Sequence, residues 1–233
     1  GGEFMKKKIG SCSFSDVSTF SFHPVKPITT GEGGMITTNN FDIYKKLLLF
    51  RTHGIHKDKK EFMNKNLGFD ENKNQNIWYY EMHELGFNYR ITDIQAALGN
   101  SQLKKLNSFT KERSTIAKAY NEGFKNNKLI HVPKVSKDVK HAYHLYTILV
   151  NFRKLKKSRN EVMKELRKFN IGSQVLYIPV HLQPYYKQKY NYKIGEFPNA
   201  EKYYRDCLSI PIFPGIKKRE VDFIIKKINE IIK

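Results

Sequence analysis

Cysteine is nearly absent from this 233-residue chain, which has only Cys12 and Cys207, far apart and outside any CxxC or Cys/His cluster. That spacing excludes a disulfide framework and a zinc site, and two lone buried thiols fit a reducing cytoplasm. No metal is expected. No apolar run approaches the ~20 residues that a membrane span needs. The N-terminus also lacks the apolar stretch and small-residue site of a secretory signal. Internal repeats and low-complexity linkers are missing as well. Acidic residues are scarce: 22 Asp and Glu stand against 42 Lys and Arg, a formal net charge of +20. Such an excess can mark nucleic-acid or acidic-ligand binding. Here the cations fall in scattered pairs such as Lys45-Lys46, Lys104-Lys105 and Lys217-Lys218, without an Arg-rich stripe or a nucleic-acid motif. A generally lysine-rich composition is the plainer reading. No nucleic-acid partner is expected, although part of the charge is available to an anionic nucleotide ligand.

Enough apolar material is present for a core, with 39% hydrophobic and 13% aromatic residues. Gly1-Gly2-Glu3-Phe4 ahead of Met5 reads as a cloning scar, and residues 1–5 are set aside from the fold. Residues 11–22 alternate Ser/Thr with Phe and Val, the pattern of one or two short strands. Met35–Thr38 reads as a strand, and Asn39-Asn40 caps a helix over about 41–52. Residues 53–83 are polar and irregular, a loop long enough to suggest a function or mobility. Thr92-x-x-Gln95 is a capping box that opens one long helix toward residue 122, with Ile94, Ala97, Leu98, Leu103 and Leu106 as its buried stripe. Beyond Pro133 come a strand at 145–150 and a second capping box, Ser158-x-x-Glu161. That box starts a helix ending near Gly172. A strand at 173–178, an aromatic loop region at 179–198 and helices at about 199–207 and 218–232 complete the pattern. Alternating strands and helices from 143 onward indicate a small α/β layer, with the domain boundary near 122–135.

The stretch 23–34 (HPVKPITTGEGG) carries the chemistry. Two prolines fix φ on either side of Lys26, and three glycines follow. A lysine held on a rigid loop suits amine–carbonyl chemistry, which needs fixed geometry. On spacing alone, a solvated surface charge is the plainer reading of Lys26.

Three segments together narrow this. Ser21-Phe22-His23-Pro24-Val25-Lys26-Pro27-Ile28-Thr29-Thr30-Gly31-Glu32-Gly33-Gly34 resembles the cofactor-lysine motif of the DegT/DnrJ/StrS family of nucleotide-sugar aminotransferases. Leu85 to Ala97 resembles the family's G-x-N-x-R stretch. Tyr177-Ile178-Pro179-Val180-His181-Leu182-Gln183-Pro184-Tyr185 resembles its Y-x-P-x-H-x-x-P-x-Y stretch. In order, the three span nearly the whole chain after Met5. The wording around the lysine is most similar to the transaminase that makes UDP-4-amino-4,6-dideoxy-N-acetyl-β-L-altrosamine for pseudaminic acid and flagellin glycosylation.

The resemblance implies an α/β chain: the C-terminal part of a fold-type I, aspartate aminotransferase-like large domain over residues 6–125, then a small domain over 126–233. It implies pyridoxal 5′-phosphate (PLP) as cofactor, held by Lys26, which would also move the transferred proton. Ser21 would bond the cofactor phosphate, and Asn88 would reach the phosphate of the neighbouring subunit's cofactor in a cytoplasmic homodimer. Arg90, His181, Tyr177 and Tyr185 would form the nucleotide-sugar pocket. The implied reaction moves an amino group from L-glutamate to C4 of a UDP-4-keto-6-deoxy-N-acetylhexosamine.

Each residue also has a plainer role open to it. Ser21 can be the polar side of a strand, Asn88 a turn former, and Arg90 a partner of Asp93. His181 can be structural, and the tyrosines at 185, 186, 190 and 192 can fill an interface. His23 reads as packing or orientation. The family's chains extend much further at the N-terminus, where the phosphate-gripping turn, the ring stacked on the cofactor and the aspartate facing the pyridine nitrogen lie. This chain is therefore expected to be an N-terminally truncated piece that binds PLP weakly or not at all and turns over negligibly. Another keto-sugar, C3 specificity, or a non-catalytic basic binding module are the rival readings.

Overall fold

The computed structural model describes residues 1–233. The chain opens on β1 (Glu3–Phe4) and β2 (Lys7–Lys8), then runs through β3 (Val17–Ser21), β4 (Gly34–Thr38) and α1 (Phe41–Phe50). β5 (Ile55–His56), α2 (Lys65–Gly68), β6 (Glu81–Met82) and α3 (Asp93–Leu103) follow. After them come α4 (Leu106–Phe124), β7 (Ile130–His131), β8 (Val139–Lys140), β9 (Tyr146–Val150), α5 (Phe152–Leu155) and α6 (Arg159–Lys168). A 3-10 turn (Val180–Leu182), α7 (Pro184–Tyr190), α8 (Pro198–Asp206), β10 (Cys207–Ile210) and α9 (Lys218–Ile231) close the sequence. These elements group into two compact units, Lys7–Lys104 and Lys105–Lys233 with Gly1–Lys6.

In the first unit β3 and β4 form an antiparallel hairpin in register from Val17↔Thr38 to Ser21↔Gly34. The Asn40 side chain accepts from the Asp42 and Ile43 amides and starts α1 as its sequence predicts. A second ribbon pairs Ile55–His56 with Glu81–Met82. Phe62 is the unit's one buried large apolar side chain; it packs edge-on against Tyr79 and Phe69. Ile94, Leu98 and Leu103 on α3 are exposed. The expected buried stripe of that helix is thus corrected: the periodicity marks an apolar face but does not say what covers it.

The second unit holds the hydrophobic core. Ile116, Ala117, Tyr120 and Phe124 of α4 pack with Val221, Ile224, Ile228 and Ile231 of α9, and with the inward residues Tyr146, Ile148 and Val150 of β9. Burying each of the Val, Ile and Phe side chains among them contributes on the order of 1.5–3 kcal/mol. β9 is the centre of an antiparallel sheet ordered β10-β9-β7. Tyr120 donates from its hydroxyl to the Pro211 carbonyl at 2.6 Å, so the largest core rings keep their polar atoms satisfied.

Several expectations change here. The helix that begins after Thr92 breaks at Lys104–Lys105, and the two units divide there, earlier than the 125/126 boundary read from the sequence. α4 turns its apolar face to α9 and joins the second unit. Glu3–Phe4, set aside as a scar, is a strand paired with Val139–Lys140, so these residues belong to the fold. Residues 173–178 form no strand, only a bridge between Gln174 and Ser209. Pro184–Tyr190, read as loop, is helical because Pro184 sits in the first turn, where its missing N–H costs nothing. Cys207 is buried as expected, whereas Cys12 is half-buried. No helix is long and apolar enough to cross a membrane.

Candidate active site

The β3–β4 hairpin presents Lys26 on the twelve-residue turn between Ser21 and Gly34. That turn is closed by its own hydrogen bonds. Phe22 donates to Gly33 O at 2.8 Å, and Phe22 O accepts from the Thr30 amide at 3.0 Å and the Thr29 hydroxyl at 2.9 Å. Lys26 N donates to His23 O at 2.9 Å, folding the lysine back over the prolines. Thr30 is buried, and its hydroxyl donates to Glu32 O at 2.7 Å. Gly31, at φ +81°, supplies the left-handed step that lets the chain return to β4. Lys26 is half-buried, and its Nζ makes no ion pair or hydrogen bond. Ser21 is exposed; its Oγ accepts a long 3.4 Å bond from the His23 amide. His23 Nδ1 accepts from Val25 N, and Nε2 lies 3.9 Å from Glu32, an orienting role within the loop.

Asn88 and Arg90 lie in the same unit. Asn88 is bridged to Thr52 in a ladder formed by His53 N→Phe87 O at 2.8 Å and Tyr89 N→Arg51 O at 2.9 Å. Its side chain is exposed and makes no hydrogen bond. Arg90 is exposed and forms no pair with Asp93. The Thr92 capping box is present, with Gln95 N donating to Thr92 Oγ1 and Thr92 N donating to Gln95 Oε1.

Tyr177, His181 and Tyr185 belong to the second unit. Tyr177 and Tyr185 are exposed, and Tyr185 accepts from Lys189 Nζ at 3.2 Å. The tyrosines at 185, 186, 190 and 192 form a chain of ring contacts that ends on His181 and Phe197. His181 is buried, with Nε2 3.1 Å from Glu201 Oε1.

Sequence reasoning missed three clusters. Glu201 is one. Glu81 is another: it accepts from Met63 N and Asn64 N at 2.7 Å each and Tyr79 OH at 2.8 Å, and pairs with His83 Nε2 at 2.6 Å. Burial pushes its carboxyl up, but the bonds from His83, Met63, Asn64 and Tyr79 outweigh that and lower it to about 2. The alternation Tyr79-x-Glu81-x-His83 was the available signal, a strand-like period of two. The third is Arg113, buried, with one guanidinium nitrogen donating to the carbonyls of Tyr143, His144 and Ile212. A cavity of about 930 Å³ lies in the second unit among His131, Lys134, His141, Arg153, Lys202 and Tyr203, and holds none of the predicted site residues.

Residues 1–229 match the DegT/DnrJ/EryC1/StrS aminotransferase family. The chain belongs to that family. An uncharacterized protein of Methanocaldococcus jannaschii is 42% identical over 232 residues, covering 100% of this chain and 57% of the relative. The UDP-4-amino-4,6-dideoxy-N-acetyl-β-L-altrosamine transaminase of Campylobacter jejuni serotype O:23/36 is 36% identical over 226 residues, 96% of this chain and 54% of that protein. GDP-perosamine synthase of Escherichia coli O157:H7 is 33% identical over 230 residues, 99% of this chain and 55% of that protein. Among solved structures, Helicobacter pylori PseC, described as an aminotransferase of pseudaminic acid biosynthesis, superposes with a TM-score of 0.85 at 31% identity, covering 100% of this chain and 57% of that one. A Streptococcus pneumoniae protein described as a sugar aminotransferase, in its PLP form, superposes with a TM-score of 0.83 at 27% identity, covering 99% and 55%. The chain therefore has the fold of the C-terminal part of a fold-type I transferase, spans a little over half the length of its relatives, and belongs to a family whose aminotransferases use PLP.

Proposed function

We propose that this chain carries the cofactor-lysine portion of a PLP-dependent nucleotide-sugar aminotransferase. The observation that carries the reading is the Lys26 turn: a half-buried amine with no carboxylate partner, on a loop closed by its own hydrogen bonds. The residues present fit PLP. Ser21 Oγ only accepts a long bond, so its own proton is available to a phosphate oxygen. Asn88 offers an uncommitted amide from the Thr52 ladder.

Bound PLP supplies an electron sink for the carbon that loses a proton. Lys26 Nζ would hold the cofactor and then take up and return the proton that transamination relocates. Ser21 would fix the phosphate within the same subunit and Asn88 that of the neighbouring subunit, which makes a homodimer the working form. Arg90 would meet the diphosphate with its planar fork. Tyr177, His181 and Tyr185 would line the sugar-nucleotide pocket. For the substrate we infer L-glutamate as amino donor and C4 of a UDP-4-keto-6-deoxy-N-acetylhexosamine as acceptor, on the route to pseudaminic acid. The wording His23-Pro24-Val25-Lys26-Pro27-Ile28-Thr29-Thr30 and the Campylobacter relative favour it over the perosamine chemistry of the other relative.

The test is an absorbance scan of the chain with added PLP, beside its Lys26→Ala variant. The expected result is a visible band that borohydride abolishes and that the variant lacks. The same band in both proteins would remove Lys26 from its role. Comparing UDP- and GDP-linked keto-sugars in a protein that includes the whole family length would decide the substrate.

A further inference from the structure

His181 is held more tightly than a pocket-lining residue needs to be for shape alone. It sits in the 3-10 turn Val180–Leu182, buried, with its ring 4.5 Å from that of Phe197 and 6.4 Å from that of Tyr192. Nε2 is 3.1 Å from Glu201 Oε1. No hydrogen bond reaches Nδ1, and that atom is not among the sealed polar atoms of the structure. The ring therefore has one committed nitrogen and one open nitrogen.

Glu201 is itself fixed. It lies in the first turn of α8, and its Oε1 also accepts from Gly195 N at 2.8 Å. The Gly195 amide, then the bond to His181, hold its carboxyl below the usual carboxylate range. An ionised carboxylate only accepts, so the Nε2 facing it must carry a proton. A partner on one ring nitrogen decides which atom the other face offers, as carboxylate–histidine pairs do at metal and catalytic sites.

We propose that Glu201 is the positioning residue of His181: it fixes the proton on Nε2 and leaves Nδ1 as the atom offered to the ligand, an acceptor for a sugar hydroxyl. Phosphate oxygens have no proton to give such an acceptor, so recognition of the diphosphate falls to other groups. The ligand part rests on the reading of His181 as a substrate-pocket residue; the proton placement does not.

The test is long-range proton–nitrogen NMR of the histidine-labelled chain at pH 8, with His181 assigned from the signal lost in His181→Asn. The wild type should show the neutral Nε2–H form. Glu201→Gln should keep it, because the amide oxygen still accepts, whereas Glu201→Ala should give a mixture of the two tautomers. An Nδ1–H form or an imidazolium in the wild type, or an unchanged spectrum in Glu201→Ala, overturns the proposal. Should the alanine variant fail to fold, the wild-type form and its retention in the glutamine variant decide alone. Adding UDP-N-acetylglucosamine tests the ligand part separately: the Nδ1 resonance should move, and a static Nδ1 with the Nε2–H form intact would sink the pocket role of His181 alone.

Discussion

Gly54 and Gly86 meet backbone to backbone: a Cβ on Gly86 would collide with the Gly54 nitrogen, and one on Gly54 with the Glu84 carbonyl. Gly54 also holds φ +68°. This contact lets the 51–56 and 81–89 segments close into the ladder that carries Asn88. Gly54→Ala should therefore destabilise the first unit by more than about 1 kcal/mol, since it adds both strain and a backbone clash. Hydrogen exchange at the His53 and Tyr89 amides should accelerate in the variant, with the second unit unaffected.

Glu81 predicts an acid sensitivity with a defined direction. Its carboxyl is lowered to about 2, so the folded chain binds fewer protons there than the unfolded chain, whose group titrates near 4.5. The stabilisation is present above about pH 4.5 and is lost as the pH falls toward 2. Exchange at the Met63 and Asn64 amides, which donate to this carboxylate, should speed up across that window. In Glu81→Gln the acid dependence should flatten, and the neutral-pH protection should drop.

Arg113 is a buried cation that serves three carbonyls and no carboxylate. Burial holds its guanidinium below the usual arginine range. Arg113→Ala strands those carbonyls, and urea unfolding of the second unit should show a loss of about 3 kcal/mol or more. Arg113→Lys should recover only part of it, because an ammonium is more strongly hydrated than a guanidinium and costs more to bury.

Both capping boxes are measurable. Thr92→Ala and Ser158→Ala each remove an acceptor for the amide three residues on, and each should cost about 1 kcal/mol. Ile148→Ala, in the centre of β9 and fully buried, should cost more, about 2–5 kcal/mol. An equal loss at Ser158 and Ile148 in thermal unfolding would contradict this ranking.

What was legible in the sequence was local. Asn40, Thr92 and Ser158 announce helix starts because a cap needs only its own neighbours. The Lys26 turn was legible because prolines and glycines fix backbone angles wherever they stand. The break at Lys104–Lys105 carries no glycine or proline, and the α4–α9 packing that decides it joins residues far apart in the chain. Cys207–Ile210 is buried at every position, so no alternation separates that strand from the helix before it. The same limit hid the order of residues 53–83. Glu81 reaches back to Met63 and Asn64, and no window of sequence contains that pairing. Among the candidate site residues, Lys26 and His181 were named from motifs, while Glu201, the hydrogen-bond partner of His181, was not.

Phe62, wedged between Tyr79 and Phe69, gives that long polar segment a centre of its own. With Glu81 tying both ends of the segment to one carboxylate, residues 62–83 have the makings of a self-contained cooperative block that opens and closes as one. A protease probing the native chain should therefore find purchase not across the whole stretch but at the exposed lysines Lys57, Lys59 and Lys60 that lead into it.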